Sequence, residues 1–81
     1  MQHRRLTHPG LDFWVDLRAA ELNGRWIAVA DLAGTPEIAW STRPELAALM
    51  ALWPLGSAMA NRLVSRQDWT SASPRRRPET D

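Results

Sequence analysis

Asp12 and Asp16 flank Trp14 in the segment LDFWVDLRA, and a pair of carboxylates is what glycosidase-type chemistry uses. Such a pair must face each other across a cleft, and an 81-residue chain has little material to build one. Solvated charges on one face of a strand account for both aspartates. His3 and His8 could hold a metal together, or one could act as a base. Both precede any recognisable element, and a catalytic imidazole needs a fixed position and an orienting partner. Ser41, Ser57, Ser65, Ser71 and Ser73 lack the Gly-x-Ser-x-Gly context of a nucleophile elbow. The four glycines are scattered and form no phosphate-cradling loop. Cysteine is absent, which removes disulfides and zinc–thiolate sites. The sequence thus offers no catalytic, cofactor-binding or metal-ligating set, and it reads as a non-enzyme.

All ten basic residues are arginine. From residue 11 to residue 64 the acids Asp12, Asp16, Glu21, Asp31, Glu37 and Glu45 outnumber Arg18, Arg25, Arg43 and Arg62. The folded body is therefore mildly acidic and the ends are basic. Arg75, Arg76 and Arg77, bracketed by Pro74 and Pro78, form the one charge run and are the candidate phosphate contacts. No apolar run approaches the ~20 residues of a membrane span. The N-terminus has no apolar stretch after its arginines, as a secretory signal would. The expectation is a cytoplasmic protein with no membrane contact and no cofactor.

The elements that must carry any site can be read from periodicity. Leu11, Phe13, Val15 and Leu17 alternate with Asp12, Trp14, Asp16 and Arg18, the period of a strand with one buried face. Asn23-Gly24 is a hairpin signal, because both residues accept the positive φ of a type I′ turn. A second strand runs from Arg25 to Ala30 or Asp31, with Ile27 and Val29 on one face and Trp26, Ala28 and Ala30 on the other. Asp31 to Pro36 reads as a loop, and residues 37–41 as a short third strand. Thr42 and Glu45 have capping-box spacing, with Pro44 in the first helical turn. Leu46, Leu49, Met50 and Trp53 then form a stripe directed at the sheet. Pro54 and Gly56 end that helix, and a second short one spans about Ser57 to Val64.

The predicted fold is α+β: a three-stranded antiparallel meander packed against one main helix, with a second short helix. Residues 1–10 are expected to be a flexible lead and 11–65 the domain. Residues 66–81, polar and almost without aliphatic residues, are expected to be a disordered tail. Trp69 is the exception in that tail.

Tryptophan marks each proposed strand, at Trp14, Trp26 and Trp40, and Trp53 lies on the helix stripe. These could simply fill a small core. Alternatively Trp14, Trp26 and Ala28 form an exposed face for a protein partner, since tryptophan is enriched at interface hot spots. An aromatic sheet face can also stack bases, but Asp12 and Asp16 beside it would repel phosphate.

The stretch GRWIAVADLAGTPEIAWSTRPELAALMAL resembles the N-terminal, RNase H-like portion of HicB-type antitoxins. The resemblance rests on Asp31, Leu32 and Gly34 at the loop and on Thr42, Glu45 and Leu46 at the helix start. It covers less than half of the chain. Trp40-Ser41 replaces the Gly-Asp usual before the family's threonine, and neither the last strand nor the DNA-binding domain has a counterpart. What it implies is a non-catalytic module that binds a small protein, antitoxin-like or regulatory. A protein partner or a homodimer is the first expectation. A nucleic-acid-binding accessory protein acting through its arginine-rich ends is the alternative.

Overall fold

Two tight turns set the frame. Asn23 and Gly24 have φ of 55° and 80°, and Ala33 and Gly34 have φ of 55° and 93°, so both are two-residue turns with positive φ throughout. They join three strands: β2 (Val15–Leu22), β3 (Arg25–Leu32) and β4 (Thr35–Ser41). The structure, a computed structural model, describes residues 2–67 and residue 69. It adds a fourth strand, β1 (Gln2–Leu6), paired antiparallel with β2. The sheet order is β1-β2-β3-β4, an all-antiparallel meander. The α+β class is as expected, with four strands instead of three.

Three expectations for the sheet are corrected. The segment before residue 11 is not a free lead, because QHRRL pairs along β2 through its backbone. Its only apolar anchor is Leu6, which is buried, so side-chain periodicity gives no sign of it. The first predicted strand begins at Val15 rather than Leu11. Leu11 and Phe13 instead pack against the core from the β1–β2 loop. The expected loop at Asp31–Pro36 is a tight turn, in which the Asp31 carboxylate accepts a hydrogen bond from the Gly34 N–H at 2.7 Å.

Helix α1 (Pro44–Leu52) continues through a 3₁₀ turn at Trp53–Leu55, and Gly56 leads into α2 (Ser57–Ser65). Thr42 does not cap α1. Its N-cap is Arg43, with extended backbone and no side-chain cap bond, and Arg43 forms an ion pair with Glu45. The Thr42/Glu45 capping box is therefore not formed, while Pro44 does occupy the first turn.

The helix also faces the opposite way from the expected stripe. Ala47, Ala48, Ala51 and Leu52 are buried, whereas Leu46, Met50 and Trp53 are exposed and Leu49 is half-buried. The inner face of the sheet explains this. It presents Val15, Leu17 and Ala19 from β2, Trp26, Ala28 and Ala30 from β3, and Ala39 from β4. Alanines facing alanines let α1 settle close onto β3 and β4, the strands it chiefly contacts. A stripe of leucine, methionine and tryptophan would hold it further away. α2 packs on α1 and buries Ala60 and Leu63.

The C-terminal boundary moves as well. Trp69 is partly buried against the core, and its indole N–H donates to the Val64 carbonyl at 2.7 Å. The Arg4 guanidinium lies 5.0 Å from its ring and also donates to Gln67 Oε1 at 3.2 Å. Residues 66, 67 and 69 thus belong to the body. The rest of the expected tail, including Arg75, Arg76 and Arg77, lies outside the described residues.

Two stability predictions follow from these local features. Ala33 adopts a left-handed backbone that costs an L-residue with Cβ roughly 1–2 kcal/mol and that asparagine tolerates better. Ala33→Asn should therefore raise the thermal midpoint by about 4 °C, corresponding to about 0.5–1 kcal/mol. Trp69→Ala should cost about 1–3 kcal/mol. Thermal circular dichroism measures both, and a Trp69 variant within a degree of the parent would detach that residue from the fold.

Candidate functional site

The residues with chemical potential form a surface network. On the open face of the sheet, the Asp16 carboxylate accepts from Arg5 Nε at 3.3 Å and lies 3.7 Å from His3 Nε2. Asp16 pairs across the strands with Asp31, a like-charge apposition that the flanking Arg5 offsets. His8 sits in the β1–β2 loop, where its Nδ1 accepts from the Gly10 N–H at 3.1 Å. Asp12 is exposed in the same loop and does not join Asp16. Among the described residues no three His, Asp or Glu side chains gather closely enough to hold a metal ion. No helix of the described residues is long and apolar enough to cross a membrane.

The predicted interaction face does not assemble. Trp26 and Ala28 are buried beneath the helices, while Trp14 is exposed on the other side, with the Arg5 guanidinium 5.5 Å from its ring. The cause is strand parity. The turn at Asn23-Gly24 pairs Leu22 with Arg25, so every even-numbered residue of β2 faces an odd-numbered residue of β3. Trp14 precedes a strand whose even positions look outward, and the matching outward residues of β3 are Ile27 and Val29. The Asn-Gly signal therefore already contained the information that separates Trp14 from Trp26.

Two exposed apolar surfaces emerge instead. On the open face, β1 and the first half of β2 contribute His3, Arg5, Asp16 and Arg18. Arg25 and Asp31 stand at the two ends of β3, with hydrocarbon between them and on β4. Val29 lies beside Ile38 and Ile27 beside Trp40, with Ile38 64% and Trp40 50% exposed. On the helix layer, α1 directs Leu46, Met50 and Trp53 to solvent, each between 43% and 54% exposed. Leu49, Met50 and Trp53 border a shallow groove of about 420 Å³. Neither surface follows from the expected site residues. The signal for the second was present, because α1 has only one charged residue, Glu45, and offers no polar face to water.

No family model, curated protein or solved structure matches this chain.

Parity gives a direct test. Trp26→Ala should cost about 3–5 kcal/mol as a core truncation, enough to unfold a domain of this size. Trp14→Ala should change stability by no more than about 0.5 kcal/mol, the usual range for a surface site. Urea denaturation of the two variants distinguishes them, and equal losses would place both tryptophans in the core.

Proposed function

We propose that this chain is a small, non-catalytic protein-interaction module whose contact surface is the outward ridge of α1. The carrying observation is that α1 is apolar on all sides yet is covered on only one. A helix apolar all round is normally enclosed by other elements. Here three alanines and Leu52 occupy the enclosed side, while Leu46, Met50 and the following Trp53 lie outside. α2 shows how an ordinary surface helix is made in the same molecule. It buries Ala60 and Leu63 and gives Asn61, Arg62 and Ser65 to water. Tryptophan and methionine on the α1 ridge supply large contact areas with little ordering cost, or an adaptable fit, and suit a protein partner.

An antitoxin-like or regulatory role in the cytoplasm, as the family resemblance implies, would place a small partner protein on this ridge. The alternative is a nucleic-acid contact through Arg4 and Arg5 and through Arg75, Arg76 and Arg77. The last three lie outside the described residues, while Arg4 contacts Gln67 and Trp69 and Arg5 pairs with Asp16.

The ridge reading is tested by the doubly substituted chain Leu46→Gln/Met50→Gln. Both side chains are exposed, so its circular dichroism should be retained while association through the ridge is lost. A double variant that fails to fold would make the ridge part of the scaffold and would overturn the reading.

A further inference from the structure

The two edges of the sheet are protected unequally. β1 presents Arg5 on its open face, a charge of the kind that discourages strand addition, with the polar His3 beside it. β4 presents Ile38 and Trp40 and carries no basic residue within Thr35–Ser41. The turn at Ala33-Gly34 fixes which backbone groups of β4 are free. In a two-residue hairpin the flanking residues, here Leu32 and Thr35, exchange hydrogen bonds. Glu37, Ala39 and Ser41 then also point their backbone groups towards β3, and Pro36, Ile38 and Trp40 point theirs outward. Pro36 fits this phase, because the N–H it lacks would have faced the open edge.

Building on the interaction-module reading, we propose that the partner at this edge is a second copy of the chain. Two β4 strands would pair antiparallel about a two-fold axis at Ala39, forming one eight-stranded sheet. In this register Ile38 lies opposite Trp40 of the other copy, and their outward N–H and C=O groups bond each other. Pro36 falls at the end, opposite Thr42 just past β4, so its missing donor interrupts nothing central. Shifting the axis to Ile38 would set Pro36 opposite Trp40 and lose a hydrogen bond.

Charge selects the same arrangement. Glu37 lies near one end of β4 and Arg43, already paired with Glu45, just past the other. An antiparallel pair therefore brings each Glu37 towards the second copy's arginine as an additional partner. A parallel pair would align like with like.

The helices fit the same axis. α1 sits astride β3 and β4, and strands are spaced about 4.8 Å apart, so the two copies of α1 would run roughly 10 Å from each other, a normal helix-packing distance. Exposed Leu46 and Met50 would then come within reach of their copies. Leu46 and Met50, each about half-exposed, would add to what the paired β4 strands bury towards the roughly 800 Å² per partner of a stable interface.

Sedimentation equilibrium of the full chain should give twice the 9.2 kDa monomer mass at micromolar concentration. Ile38→Lys should weaken self-association by about 30-fold or more while leaving the fold intact. The chain has no cysteine, so single variants report the register cleanly. Ala39→Cys should cross-link to its copy on mild oxidation, since facing Cα atoms in a non-hydrogen-bonded pair lie about 4.5 Å apart, within disulfide reach. Ile38→Cys and Trp40→Cys should cross-link more slowly. A monomer at about 100 µM, roughly a hundred times an ordinary micromolar dissociation constant, overturns the proposal. Faster cross-linking at position 38 or 40, or an Ile38→Lys dimer as tight as the parent, overturns it equally. Failure here is separable from failure of the ridge reading. A full chain that sediments as a monomer, with a Leu46→Gln/Met50→Gln variant that folds, removes only the second copy, whereas a double variant that does not fold removes the ridge itself.

Discussion

The distance between α1 and the sheet is set by alanine, and most of the architecture follows from that spacing. Among the described residues, more than half of those buried are alanine, drawn from β2, β3, β4 and both helices. Small side chains on both surfaces let backbones approach closely, so good packing is reached with little buried area per residue. A domain of this length already buries a modest share of its unfolded surface. A core built of alanine makes that margin smaller, and the large residues that might have enlarged it, Leu46, Met50 and Trp53, are outside. Leu17, Leu52, Leu63 and Trp26 are left to supply most of the buried hydrocarbon.

What the sequence made legible is what depends on local chemistry. Asn23-Gly24 announced its hairpin, Val15 to Ala19 announced their alternation, and Pro44 and Pro54 bounded α1 within two residues. Less was legible where long-range packing decides among equals. PELAALMALW offers apolar stripes at 46/49/50/53 and at 47/48/51/52, and only the alanine-lined sheet selects the second. Size appeared to favour the first stripe. Steric fit favours the other.

β1 and Trp69 were hidden for a different reason. QHRRL has no side-chain period, and its pairing energy comes from backbone bonds that any sequence could make. Trp69 sits in a polar segment, and the residue that holds it, Arg4, lies 65 positions earlier in the chain. Those two surprises are one contact. Arg4 extends from the inner side of β1 to Gln67 and the Trp69 ring, so the strand that looked like a flexible lead and the residue that looked anomalous secure each other. The interaction face failed on parity alone, because a two-residue turn reverses odd and even between partners and thereby assigns Trp14 and Trp26 to opposite sides.

These constraints bear jointly on association. Close alanine packing places the bulky residues of α1 outside, and the parity set by the two turns places Ile38 and Trp40 on the open face of an edge strand. One constraint acts through steric fit and the other through register, yet both leave hydrocarbon exposed on the β4 side of the molecule. At the other side, Arg5 and His3 surround Asp16 and Arg4 holds Trp69, so the β1 side is provided with charge and with internal contacts. Trp14 is also exposed, towards β1, but there the Arg5 guanidinium lies over its ring, whereas Ile38 and Trp40 lie together on the open face of the edge strand β4. Covering that side with protein would enlarge the buried area of a domain whose own interior is small, so folding stability and association would rise together with concentration.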